Sequence, residues 1–273
     1  MWTQGDNRQA VEGLAVSIHF SSEMPPLLAL KVRDRARSVA AGLGLGLERT
    51  IFEVDVNDDG ESSSTETGKV FLSADGISED RRAAGHFHEM LSIEDDKIIY
   101  RTAAFEGWAV ARERFVALMV DILSQVKEVM ELRTIRLEVR YRFFWEGARS
   151  DWDFSPLLRT NSPYIAPFVY ETSEPWHSNS GKWLPRTSTK ARLLQTNVQA
   201  NHWRNSFNDR ESAGLTMRIS VEDRIRSSGI EVSDSAYDMV FTDLDKLHED
   251  MQAASEEIIV SEFLRDAGSV EAK

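Results

Sequence analysis

The stretch "RTIRLEVRYRFFW", residues 133–145, constrains this chain more than any other. Ile135, Leu137, Val139, Tyr141 and Phe143 fall on every second position, and only an extended strand sends such positions to one side. The alternate positions hold Arg136, Arg140 and Arg142, with Glu138 among them. The segment therefore reads as a half-buried strand with an apolar face and a charged one. Directly before it, "FEGWAVARERFVALMVDILSQVKEVM" repeats Trp108, Ala111, Phe115, Leu118, Ile122, Val126 and Val129 at helical spacing, the clearest helix in the chain.

Working outward from this pair, "VEGLAVSIHF" alternates Leu14, Val16, Ile18 and Phe20 and predicts a strand. A helix follows, opening at Pro25 and Pro26 and stopping in the glycines of "GLGLG". Strands are predicted at "TIFEVDV" and "GKVFLSA", a hairpin at "HFHEMLSI" and "KIIYRTA", and two further strands at "KARLLQTNVQAN" and "GLTMRISVEDRI". The last element, "FTDLDKLHEDMQAASEEIIVSEFL", reads as one helix capped by Thr242, with Leu244, Leu247, Met251, Ala254 and Ile258 as its apolar stripe. Strands occur in runs and do not alternate strictly with helices. That order predicts an α+β fold with a twisted, mainly antiparallel sheet of about eight strands, in one piece or two sub-sheets, and three main helices. Three stretches are expected to form one unit: an N-terminal half (1–145), a long aromatic connection (146–186), and C-terminal strands with an acidic helix (187–273).

The chain has no cysteine, so disulfides, thiolate catalysis and Cys-ligated zinc are excluded, and a reducing compartment is expected. "MWTQGDNRQA" lacks the layout of a signal peptide, and no apolar run approaches the roughly 18–20 residues that span a bilayer; the expectation is a cytoplasmic protein that does not enter the membrane. The formal net charge is −13, of which −9 lies between Glu231 and Lys273. Such a balance opposes bulk condensation on nucleic acid and leaves only a local basic stripe to do it.

Four constellations could carry function. "DVNDDGESSSTE" has EF-hand spacing, with Asp55, Asn57, Asp59 and Glu66 at carboxylate or amide ligand positions and Gly60 at the turn. Its flanks read as strands and Ser62 stands where an apolar residue is usual, so an acidic hairpin loop is the preferred reading over calcium. His86 and His88 lie two apart and share one face of a strand, the spacing of a transition-metal pair; unmetallated surface histidines are the commoner outcome. Arg136, Arg140 and Arg142 on one strand face, with aromatic neighbours, could track a phosphate backbone, or pair with acidic side chains on a solvated sheet. Lastly, the connection is rich in large rings, among them Trp152, Phe154, Tyr164, Trp176 and Trp183. They must either fold back on the sheet or form a protein interface. "SNSGKW" lacks the preceding glycine of a phosphate-binding loop, "GLGLG" follows a helix, and no nucleophile elbow is present.

"FEGW" at the head of the long helix, "RTIRLEVRYRF" after it and the "FTDLDKLHEDM" helix resemble a sporadically distributed bacterial family of unknown function. The resemblance implies a cytoplasmic bacterial α+β protein of the kind carried on mobile, defence or accessory gene islands, and it supplies no catalytic residues. The first functional expectation is a non-enzymatic binding or assembly protein, which contacts a protein partner through the aromatic connection and its acidic surface. The alternative is a protein that binds or processes nucleic acid on the Arg136, Arg140 and Arg142 strand, with the histidine pair as a metal site. No cofactor is expected, with calcium at the Asp55–Glu66 loop or a transition metal at the histidines as the alternatives, and the oligomeric state is left open.

Overall fold

The computed structural model describes residues 1–4, 11–56, 62–73, 87–146, 152–185, 190–204, 211–225 and 234–265. Its strands are β1 (Trp2–Gln4), β2 (Val11–Phe20), β3 (Leu47–Val56), β4 (Ser62–Ser73), β5 (Glu89–Glu94), β6 (Lys97–Thr102), β7 (Leu132–Trp145), β8 (Trp176–Trp183), β9 (Lys190–Arg204) and β10 (Glu211–Ile225). The helices are α1 (Pro26–Gly42), α2 (Trp108–Val126), α3 (Asp234–Ile258) and the short α4 (Ser261–Arg265).

The strand that dominates the sequence also organises the sheet. β7 has β2 along one edge, from Val11 opposite Tyr141 to Phe20 opposite Leu132, and β10 along the other, from Ala213 opposite Trp145 to Arg224 opposite Thr134. β1 continues the lane of β2, placing Trp2 opposite Trp145. The full order is β3-β4-β5-β6-β2-β7-β10-β9-β8, every pairing antiparallel. The fold is thus the expected α+β class with a mainly antiparallel sheet and three main helices, but with ten strands in one open sheet. The two extra strands have physical reasons to escape the sequence pattern. β1 spans three residues, and β8, "WHSNSGKW", is built from Ser, Asn and Gly, which have low strand propensity.

All three long helices cover the same sheet face. Val16 and Ile18 of β2, Leu137 and Val139 of β7, and Ile219 and Val221 of β10 are buried toward them. α2 packs Phe115 against Tyr100 of β6, ring centroids 6.1 Å apart. α3 lies across β7 and β10, where Tyr141 donates to Ser255 Oγ at 2.9 Å. α1 presents Ala29, Val32, Ala36 and Ala40, a stripe of small residues that lets it sit close against α2. Its glycine stop is as expected, with Gly44 at φ 86, where a side chain would be strained. α3 departs from expectation at both ends. It begins at Asp234, so Thr242 lies two turns inside it and not at its N-terminus; residues 234–241 contain no Gly or Pro to stop the helix. At its far end Ile259 leaves the helix to bridge Leu158, which splits α4 off.

Charges on the helix-covered face are matched. Glu89 accepts from Tyr100 Oη (2.8 Å) and from Arg114 (2.7 Å). Asp223, 1% exposed, receives a two-pronged Arg192 at 2.6 and 2.7 Å, and Arg192 also donates to Asp250 of α3 at 2.7 Å. His248 of α3 stacks on Trp108, centroids 4.2 Å apart and planes 4° from parallel. Burial there pushes its pKa down to about 4, against the pull of Asp245. Between pH 4 and the ordinary value near 6.5 the unfolded chain binds this proton and the folded chain does not, so the neutral histidine's stability is present above pH 6.5 and lost as pH falls toward 4. Chemical denaturation at pH 7.5 and at pH 5 should show a loss on the order of 2 kcal/mol. A His248→Phe variant should lose that part of the slope.

Candidate functional site

A sheet covered on one side leaves the alternate side chains of its strands on the other. On β7, β10, β9 and β8 this helix-free face is polar in a regular way. Antiparallel register aligns it in rows: Arg140, Arg218, Asn197 and Asn179 stand opposite one another in turn, and the next row runs Arg142, Thr216, Gln199, His177. On the other side lies Glu138, Ser220, Gln195, Gly181, followed by Arg136, Glu222, Leu193, Trp183.

Three of the five arginines in this patch have carboxylate partners. Arg136 donates to Glu138 (2.8 Å) and to Ser220 Oγ (3.2 Å), although its Nε is buried with no partner. Arg142 pairs with Glu12 at 2.5 Å, and Arg224 pairs with Glu222 while lying 5.4 Å from the ring centre of Trp183. Arg140 and Arg218 differ. They are exposed, they are register partners, and among the described residues neither meets a carboxylate. Like charges directly opposite in a sheet are destabilising.

Beside them runs a chain of carboxamides. Asn201 donates to Gln199 Oε1 (3.4 Å), Gln199 to Asn197 Oδ1 (3.0 Å), and Asn197 to Asn179 Oδ1. Three shallow recesses adjoin across this face. One of about 370 Å³ is walled by Arg136, Asn179, Gln195, Asn197 and Arg218. The second, about 260 Å³, shares Asn197 and Arg218 and adds Arg140, Arg142 and Gln199. The third, about 280 Å³, shares Arg140 and reaches Arg101 of β6. Together they form a trough from β8 to β6, roughly 24 Å across five strand spacings.

Of the residues singled out from sequence, Arg136, Arg140 and Arg142 all face this trough. Arg218 and the amides were missed, yet their signal was present: Gln195, Asn197, Gln199 and Asn201 alternate with buried Leu194, Thr196, Val198 and Ala200.

The aromatic connection is placed differently from the interface expectation. Phe154 is 1% exposed, and Trp152, Tyr164 and Trp176 are buried at 6–7%. Phe154 sits among Trp176 (5.1 Å), Trp2 (5.3 Å) and Trp152 (5.6 Å). Trp2 Nε1 donates to the Asp153 carbonyl, and Arg159 N donates to the Ile258 carbonyl at the end of α3. The connection therefore closes the end of the core where β1, β7 and β8 meet, and these four rings are largely buried in it. Trp183, 46% exposed on β8, is the one of the five that stays outside. The acidic helix is partly committed as well, with Asp243, Asp245 and Asp250 paired to Lys190, Arg112 and Arg192.

Of the residues named as possible metal ligands, only Glu66 and His88 have described side chains. Among the described residues no three His, Asp or Glu side chains group to hold an ion. Glu66 pairs with Arg33 and Lys69, and His88 is exposed just before β5. His86, Asn57 and Asp59, and the side chain of Asp55, lie outside the described residues. Strands β3 and β4 flank that loop, in place of the helices of an EF-hand. Among the described residues no helix is long and apolar enough to cross a membrane. No protein-family model matches the chain, and no curated protein matches it.

Burial separates the rings by role. Phe154→Ala should cost about 3–5 kcal/mol of unfolding free energy, while Trp183→Ala should cost under about 1 kcal/mol. Denaturant titrations of the two variants read this directly.

Proposed function

We propose that the protein binds single-stranded nucleic acid on the helix-free face of its sheet, as a binding component without chemistry of its own. The observation that carries this reading is the Arg140–Arg218 pair. Two guanidinium groups held opposite each other gain from a bridging anion, and a phosphodiester is an anion that arginine engages through two donors at once. The carboxamides beside the pair supply donors and acceptors for unpaired base edges, and Trp183 supplies a ring at the rim of the patch. Among the described residues no helix lies on this face to enter a duplex groove, which favours a single strand. The chain's charge of −13 works against indiscriminate binding and confines attraction to the patch. The sequence resemblance supports setting this role in a cytoplasmic bacterial protein of an accessory system. A protein partner docked on the aromatic connection is the weaker reading, since four of its five rings are buried.

Fluorescence anisotropy with a labelled oligonucleotide of about 16 bases tests the reading. Affinity should fall with salt, and Arg140→Ala combined with Arg218→Ala should weaken binding at least tenfold. Each phosphate that an arginine no longer neutralises lowers the log–log salt slope by about 0.7, so the double variant should be shallower by about 1.4. Wild-type affinity in the double variant, or binding indifferent to salt, overturns the reading.

The like-charge pair also implies an opposite effect on the free protein. Arg218→Thr should raise unfolding free energy by about 0.5 kcal/mol while it weakens binding. Thermal denaturation without ligand checks the first half of that statement.

A further inference from the structure

We infer that the recess between β2, β6 and β7 is a nucleobase subsite that takes adenine or cytosine and disfavours thymine or uracil; the inference rests on the single-strand reading above and names its substrate class. The recess, about 280 Å³, is lined by Glu12, Gly13, Phe87, Arg101, Glu138 and Arg140 among others. Its character follows from a break in β2. Val11 stands opposite Tyr141 and Gly13 opposite Arg140, so Glu12 is the extra residue of a β-bulge. Leu14, 3% exposed, faces the core, and regular alternation from it would send residue 12 to the core as well. The bulge turns Glu12 onto the open face instead, where it pairs with Arg142 at 2.5 Å.

A carboxylate in the path of a polyanion selects the occupant. Glu12 repels phosphate and Arg140 attracts it. Register gives Arg140 two unlike sides, Arg218 on β10 and Gly13 on β2. The backbone phosphate then lies between Arg140 and Arg218, and the base lies on the Glu12 side. There Phe87 offers a ring for it to stack on. Adenine and cytosine share one edge, an amino group beside a ring nitrogen that accepts. A carboxylate accepts from the amino group, and a guanidinium, of Arg140 or of the exposed Arg101, donates to the nitrogen. Thymine and uracil set carbonyl oxygens on that edge, which a carboxylate repels. Each carboxylate of the recess has an arginine partner, Arg142 for Glu12 and Arg136 for Glu138, yet a carboxylate accepts at several sites. Glu12 keeps the larger surface, 29% against 18%, and also lines the adjoining recess, so it is the discriminating group.

Anisotropy titrations with homopolymers of about 16 bases, oligo(dA), oligo(dC) and oligo(dT), test this. The wild-type chain should bind oligo(dA) and oligo(dC) about fivefold or more tightly than oligo(dT), and a difference between the first two names the base. Glu12→Gln removes the charge that repels carbonyls and should bring the three affinities within about twofold, chiefly by improving oligo(dT). A Glu12 that only holds Arg142 in place would change all three affinities alike and leave the ratio standing. That outcome, or a wild type indifferent to base, overturns the subsite while single-strand binding stands. A wild type that binds none of the three overturns both. Circular dichroism confirms that the variant is folded, and the wild-type ratio is a test whatever the variant's stability.

Discussion

The antiparallel contact between β2 and β7 is the constraint on which the rest of the molecule depends. Each of these strands begins one half of the chain, and each half then follows the same plan. A meander returns to pair its last strand with the first, β6 with β2 and β10 with β7, and a helix then crosses the core face. The β2–β7 pair joins the two meanders into one sheet. Because side chains alternate with period two, the register of β7 alone decides that Leu137 and Val139 meet the helices while Arg136 and Arg140 do not. A slip of one residue would bury the arginines, so the core and the polar trough are two consequences of a single register.

The two faces treat arginine differently. Toward the helices, Arg33, Arg114 and Arg192 each meet a carboxylate at 2.7 Å or less. Leaving such a group unpaired in a partly dry environment is costly, so the fold matches every one of these. On the open face water lowers that cost, and Arg140 and Arg218 can face one another without a described partner. A pair of this kind weakens the free protein slightly. On the proposed reading a ligand's phosphate supplies the missing charge, and this row, not the better-paired Arg136 or Arg142, is the centre of the proposed site.

Much of this was legible in the sequence because period-two alternation is a direct readout of one-sided burial. It identified β7, the arginine face, the helix α2 and the fold class. What escaped was decided by contacts between distant segments. β8 has weak propensity and forms because β9 offers it a full ladder from Trp176–Ala200 to Trp183–Leu193. The aromatic connection could equally have been surface or core by composition; the open end of the sheet beside Trp2 and α3 settled it as core, a fact no local pattern carries. Arg218 was overlooked for a third reason. A single arginine on a strand signals nothing until register brings a second one opposite.

The two halves share a plan but not an outer surface. In the first half the outward positions include Ile99 of β6, Met90 of β5, and Val70 and Leu72 of β4. In the second they are Arg218 of β10, Gln195, Asn197 and Gln199 of β9, and Asn179 of β8. Lys97 and Arg101 of β6 share that first face with the apolar groups, whereas guanidinium and carboxamide groups dominate the second. Stability does not require this asymmetry, since buried apolar rows line the core face of both halves. On the proposed reading, a ligand lying mainly along β7, β10, β9 and β8 uses the second surface, which gives the asymmetry a use.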